Sequence, residues 1–92
     1  MQVKVRFIGL MRRYTNEQER VFDLPDGSSA GDLLKQIGRE YGSRLPKNLW
    51  DDEKSRFHRS VRISRQGTSM LEEAELLRDG DEILLLFALA GG

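Results

Sequence analysis

One change of hydrophobic period constrains this chain more than any other feature. A stretch of helical spacing at residues 29–41 interrupts runs that alternate with period two. Val3, Val5 and Phe7 share one face of the first run, and Gln2, Lys4 and Arg6 share the other. That is the pattern of a half-buried strand. Arg20 to Leu24 reads as a second strand, and the polar link at 10–19, with a turn at Asn16-Glu17, makes the pair a hairpin. Pro25-Asp26-Gly27-Ser28-Ser29 supplies strong turn chemistry. Ser29 then stands three residues before Asp32 as an approximate capping box, and Leu33, Leu34, Ile37 and Tyr41 recur at helical spacing. A helix is expected over about 29–41, stopped by Gly42. Gly38 inside it marks close packing on the sheet.

Alternation returns at Ser60 to Gln66, with Val61 and Ile63 opposite Arg62 and Ser64. Residues 70–77 suit a short helix or turn, Arg78-Asp79-Gly80-Asp81 a tight turn, and Glu82 to Phe87 a last, very apolar strand. The order strand, strand, helix, strand, strand predicts one α+β domain over 1–92. If the last strand lies beside the first, it runs parallel to it after a crossover through the helix. This is the β-grasp arrangement, a mixed sheet with one main helix on one face. Val3, Val5, Phe7, Leu33, Leu34 and Ile37 are expected in its core. Residues 43–59 read as an irregular, charged insert with one short helical turn, the most mobile internal segment, pinned by Trp50 and Phe57.

At 92 residues the chain can build one core and no large enclosed cavity. Fifteen Lys/Arg balance fifteen Asp/Glu, and hydrophobic residues make up 38%, which argues against a disordered chain. There is no cysteine and a single histidine, His58, which excludes thiolate nucleophiles and most metal clusters. No bound cofactor or metal is expected. Asp79 and Asp81 lack the further ligands of a calcium loop. The apolar stretch Ile83 to Ala90 is too short to span a bilayer, and the charged first residues do not read as a signal peptide. A cytoplasmic protein that touches no membrane, monomeric when free, is the expectation. Charge is uneven: Arg44 to Arg65 holds seven Lys/Arg and three Asp/Glu. No aromatic-interleaved or Gly-rich motif turns that into a nucleic-acid site.

The chain ends Leu89-Ala90-Gly91-Gly92. Two glycines let a backbone pass a narrow channel, so a terminal carboxylate could enter another protein's active site. A carboxylate is a poor electrophile, and adenylation by ATP would make its carbonyl carbon open to a sulfur or amine nucleophile. The last strand is apolar on both faces: Ile83, Leu85 and Phe87 suit one, Leu84 and Leu86 the other. Leu84 and Leu86 are candidates for an outward docking patch, with Lys4, Arg6 and Arg62 as a basic rim and Phe87 beside it. The alternative is that the 43–59 insert covers them.

Val3-Lys4-Val5-Arg6-Phe7, Leu24-Pro25-Asp26-Gly27, Asp32-Leu33-Leu34, Asp79-Gly80-Asp81-Glu82-Ile83-Leu84-Leu85 and Ala90-Gly91-Gly92 together resemble the ubiquitin-like sulfur carriers. That group contains the molybdopterin synthase small subunit (MoaD) and the thiamine-pathway carrier (ThiS). The resemblance implies a β-grasp fold and a carrier rather than an enzyme. It implies that a ubiquitin-activating-type adenylyltransferase uses ATP to adenylate Gly92, that the product becomes a thiocarboxylate, and that a downstream synthase subunit accepts the sulfur for molybdopterin, thiamine or cysteine synthesis. Gly92 carries over as the reacting residue, with Gly91 and Ala90 threading the tail. The MoaD-type tail often has Pro-Pro where Phe87-Ala88-Leu89 stands here, and the insert is long for a ThiS-like chain. Two other functions fit the same residues: a modifier joined to lysines through Gly92, and a docking module without C-terminal chemistry.

Overall fold

The computed structural model describes residues 1–66 and 70–87. Four strands form a mixed sheet in the order β2-β1-β6-β5, with β1 Gln2–Phe7, β2 Glu19–Asp23, β5 Val61–Arg65 and β6 Glu82–Phe87. β1 pairs antiparallel with β2 and parallel with β6, while β5 closes the other side antiparallel to β6. This is the β-grasp arrangement expected from the order of periods. The main helix, α2 (Ala30–Tyr41), starts on the expected capping box: the Asp32 N–H donates to Ser29 Oγ at 3.2 Å, and the Ser29 N–H donates to Asp32 Oδ2 at 2.9 Å.

The core follows the two periods. Val3, Val5, Leu33, Ile37, Ile83 and Leu85 have no solvent exposure at all, and Phe7 and Ile63 almost none. Leu34 departs from the expectation. It is only partly buried, because it lies one residue round α2 from Leu33, on the flank of the buried stripe. Leu33→Ala is therefore expected to cost about 2–5 kcal/mol and Leu34→Ala clearly less, read as a difference between two denaturant midpoints.

Three segments differ from the sequence reading. The 10–19 link contains a short helix, α1 (Leu10–Thr15), which seats Met11 and Thr15 in the interior and ends on Asn16 in the left-handed conformation. Residues 70–77 hold the expected turn, closed by the Glu75 N–H donating to Glu72 O at 3.0 Å, inside an otherwise extended segment. They run alongside the fold, with Met70 bridging Ser64 and Leu76 bridging Ser29. Their carbonyls also receive the first N–H groups of α2: Ala30 donates to Glu75 O at 2.8 Å and Gly31 to Glu73 O at 2.9 Å. Donors that a helix leaves without internal partners are thus satisfied by neighbouring main chain.

The insert is the third. Gly42 does not stop α2 with a left-handed cap, since its φ of −53° and ψ of −36° carry the chain on into a 3-10 turn at Gly42–Arg44. A small hairpin of β3 (Trp50–Asp51) and β4 (Arg56–Phe57) follows. Leu45, Leu49, Trp50 and Phe57 are all buried, and the rings of Trp50 and Phe57 meet edge to face at 4.9 Å. The expected short helical turn and the pinning by Trp50 and Phe57 are both present, but a hairpin stands where an irregular loop was expected. Gly38 packs against the Trp50 ring, not the sheet. Gly38 and Gly42 lie one turn apart on the same helix face, and the indole covers both, with Nε1 2.6 Å from the point a Gly42 Cβ would occupy.

Candidate functional site: the central strand and the outer sheet face

The Asp79-Gly80-Asp81 turn fixes where β6 starts. Gly80 takes a φ of +84°, which suits a residue without a Cβ. Its N–H donates to Gln2 O at 2.8 Å, the Gln2 N–H donates to Asp79 Oδ1 at 2.7 Å, and the Lys4 N–H donates to Asp81 O at 2.9 Å. The two aspartates are thus structural. They stitch the start of β6 to the start of β1, and so set which residues of β6 face outward and where its far end emerges.

Asp81 also ties β6 to β5. Its carboxylate accepts two bonds from Arg65, each 3.1 Å, and one from the Arg78 N–H at 2.8 Å. Burial pushes the Asp81 carboxyl up, but the Arg65 bond and the Arg78 N–H outweigh it and hold it below its ordinary value of 3.8. A carboxyl depressed on folding stabilises the fold above its unfolded pKa, and that contribution disappears as pH falls through the folded pKa. Asp81→Asn is expected to cost about 1.5–3 kcal/mol at neutral pH and to flatten the loss of stability below pH 3.8. Urea midpoints measured across the acid range check both.

The pleat of β6 sorts its side chains. Ile83 and Leu85 point into the core, whereas Leu84 and Leu86 are half-buried on the outer face. There Leu84 stands between Arg6 and Ser64, and Leu86 pairs with Arg62. The insert lies against α2, on the opposite side of the sheet, so it does not cover this pair. Two exposed apolar residues that the sequence reading left aside extend the face: Val21 on β2 and Ile8 just after β1, whose N–H donates to Leu85 O at 2.9 Å. Ile8 carries the alternation one step past Phe7 and is apolar where a polar residue was due; that was the available signal.

The three expected basic residues do not act alike. Lys4 stands 4.0 Å from Glu82 and Arg6 stands 3.4 Å from Glu19, so neighbouring strands offset both charges. Arg62, half-buried opposite Leu86, makes no ion pair among the described residues. Phe87 faces away from Leu84 and Leu86. It packs partly buried against the core and lines a groove beside the insert. It therefore belongs to a different surface from the leucine pair. Ala90, Gly91 and Gly92 lie outside the described residues.

Away from the sheet face, Tyr41 joins α2 to β2. Its hydroxyl donates to Glu17 and accepts from Arg20 at 3.0 Å, and Arg20 also pairs with Glu40. Burial, then the bond to Glu17, raises the phenol's pKa. His58 is exposed, with Nδ1 2.7 Å from Ser60 Oγ, and has no carboxylate partner among the described residues. Among those residues no helix is long and apolar enough to cross a membrane.

The sequence model of the ThiS family matches residues 5–92. The chain belongs to the ThiS family. The molybdopterin synthase sulfur carrier subunit of Chlamydomonas reinhardtii is 29% identical over 92 residues, covering 100% of both chains. Among solved structures, the small archaeal modifier protein 1 (SAMP1) of Methanosarcina acetivorans is 29% identical at a TM-score of 0.72, with 99% of this chain and 96% of that one covered. SAMP1 of Haloferax volcanii, at 16% identity, overlays with a TM-score of 0.79 over 100% of both chains and so shares the ubiquitin-like fold. Two of the motifs that suggested the resemblance, Val3–Phe7 and the strand that follows Asp79-Gly80-Asp81, lie on the adjacent central strands β1 and β6.

Proposed function

We propose that this chain is a sulfur carrier whose Gly92 carboxylate is the reacting group. The carboxylate attacks the α-phosphorus of ATP in a ubiquitin-activating-type adenylyltransferase, and pyrophosphate leaves. Hydrosulfide, HS−, then attacks the carbonyl carbon, AMP leaves with the C–O bond electrons, and loss of the sulfur's proton gives a thiocarboxylate. A synthase subunit takes that sulfur into a cofactor or an amino acid. The chain supplies the electrophile and the docking surface, while catalysis belongs to its partners.

The observation that carries this reading is the position of β6. It is held between β1 and β5 and ends at Phe87, five residues before Gly92. A partner gripping the outer face at Leu84 and Leu86, with Arg62, Lys4 and Arg6 around them, thus has Gly91 and Gly92 within reach: five extended residues span at most about 18 Å. The family match running to residue 92 and the full-length match to a sulfur carrier subunit support it. ATP–pyrophosphate exchange with the activating enzyme tests it. Exchange that depends on adding this chain is expected. No exchange above the enzyme alone would refute the carrier reading.

The similarity to an archaeal modifier protein favours one second reading. An amine attacking the same activated carbonyl would give an isopeptide instead of a thiocarboxylate. Gly-Gly remnants on lysines of other proteins, sought by mass spectrometry of digested extracts, separate the two.

A further inference from the structure

Beside the end of β6, on the side away from Leu84 and Leu86, the insert forms a groove of about 580 Å³. Leu49, Phe57 and Phe87 give it an apolar floor, and Lys47, Lys54 and Arg56 stand on its rim. The lining holds three cations against one carboxylate, so it keeps a positive excess. Asp51 also lines the groove, but its Oδ1 accepts from the Glu53 and Lys54 N–H groups at 3.0 and 3.1 Å, and Asp52 Oδ1 accepts from the Trp50 indole at 3.0 Å. The insert's aspartates are thus drawn into folding its own hairpin. Lys47, Lys54 and Arg56 are exposed and make no ion pair among the described residues. An apolar floor under unpaired cations is complementary to a chain segment that carries an apolar side chain between carboxylates.

We infer that this groove docks an acidic, apolar-centred segment of a partner protein. The place is telling: Phe87, part of the floor, is also the last residue of β6, so an occupant would lie against the root of the Gly91-Gly92 arm. On the carrier reading, the insert is then a second recognition surface. One partner can hold the outer sheet face and the groove together. The role of the partner rests on the carrier reading, whereas the binding is measurable without ATP or activation, so either can fail alone.

The test is a nuclear magnetic resonance titration of the full chain with a synthetic peptide of alternating glutamate and leucine. Shifts at the amides of Asn48, Leu49, Phe57 and His58 are expected. Lys47→Glu combined with Arg56→Glu should weaken binding at least about tenfold, while Lys35→Glu, a charge change on α2 outside this groove, should not. Both substituted positions are exposed, so the fold should survive. Four results would overturn the inference: no shifts, shifts confined to Arg62, Leu84 and Leu86, equal binding of a lysine–leucine peptide, or equal weakening by Lys35→Glu. Stronger binding of a single-stranded oligonucleotide at the same amides would also overturn it and assign the cations to nucleic acid.

Discussion

Trp50→Ala is expected to lower the unfolding free energy by about 3–5 kcal/mol, a large share of the roughly 5–15 kcal/mol of a typical domain. The indole is buried, lies across the bare backbone of Gly38 and Gly42, and meets Phe57 edge to face. Removing it leaves a cavity between α2 and the insert. Gly38→Ala supplies the sharper test. In the parent a Cβ there would overlap the six-membered ring of Trp50, an overpacking cost of about 1–3 kcal/mol. In the Trp50→Ala background the same change meets no ring and gains up to about 1 kcal/mol of helix propensity. The sign of the Gly38→Ala effect should thus reverse. Denaturant midpoints at constant slope read all four corners of the cycle. Additive effects would mean that the indole does not rest on Gly38.

The contrast between Gly38 and Leu33 shows what the sequence carries. Leu33, Ile37 and Tyr41 announce themselves by spacing, because a buried helix stripe must repeat every three or four residues. Gly38 announces nothing of its partner. A glycine that makes room for a distant ring has no periodic signature, so it was read as packing on the sheet, and the insert holding Trp50 was read as irregular. The 70–77 segment was legible only as a turn or helix: main-chain bonds such as Leu71 N–H to Ile63 O at 2.8 Å, and the burial of Leu71 and Leu77 six residues apart, leave no periodic mark. Helix α1 was missed because Met11 and Thr15 flank Arg12-Arg13 in only six residues, too few for a period to show.

The candidate site was legible where polarity broke its own pattern. Leu84 and Leu86 occupy the outward phase of β6, where a one-sided sheet would carry polar residues, and the structure places them there. The basic rim was only half legible. That Lys4 faces Glu82 and Arg6 faces Glu19 depends on strand neighbours and register, which no single strand reveals.

Appending one alanine after Gly92 is expected to reduce adenylation by roughly a hundredfold or more, since displacing a reacting atom by even 1 Å can cost about that much and an added residue moves the carboxylate by about 3.3 Å. Deleting Gly92 should do the same by leaving the carboxylate short of the α-phosphorus. Both variants should unfold at the parent's denaturant midpoint, because among the described residues the buried core is built between Val3 and Leu85. Gly91→Val should give an intermediate loss through bulk and restricted φ. Full exchange activity with the appended alanine would remove the terminal carboxylate from the chemistry.

The central claim is that sulfur comes to reside on Gly92 itself. Intact-mass spectrometry of the chain, after incubation with its activating enzyme, ATP and a sulfur donor, reads this directly. One oxygen replaced by one sulfur, located in the C-terminal fragment and absent when ATP is left out, is the predicted result. A chain that has been adenylated yet keeps both oxygens on its terminus under the same conditions, or sulfur found elsewhere than the terminal fragment, would contradict it.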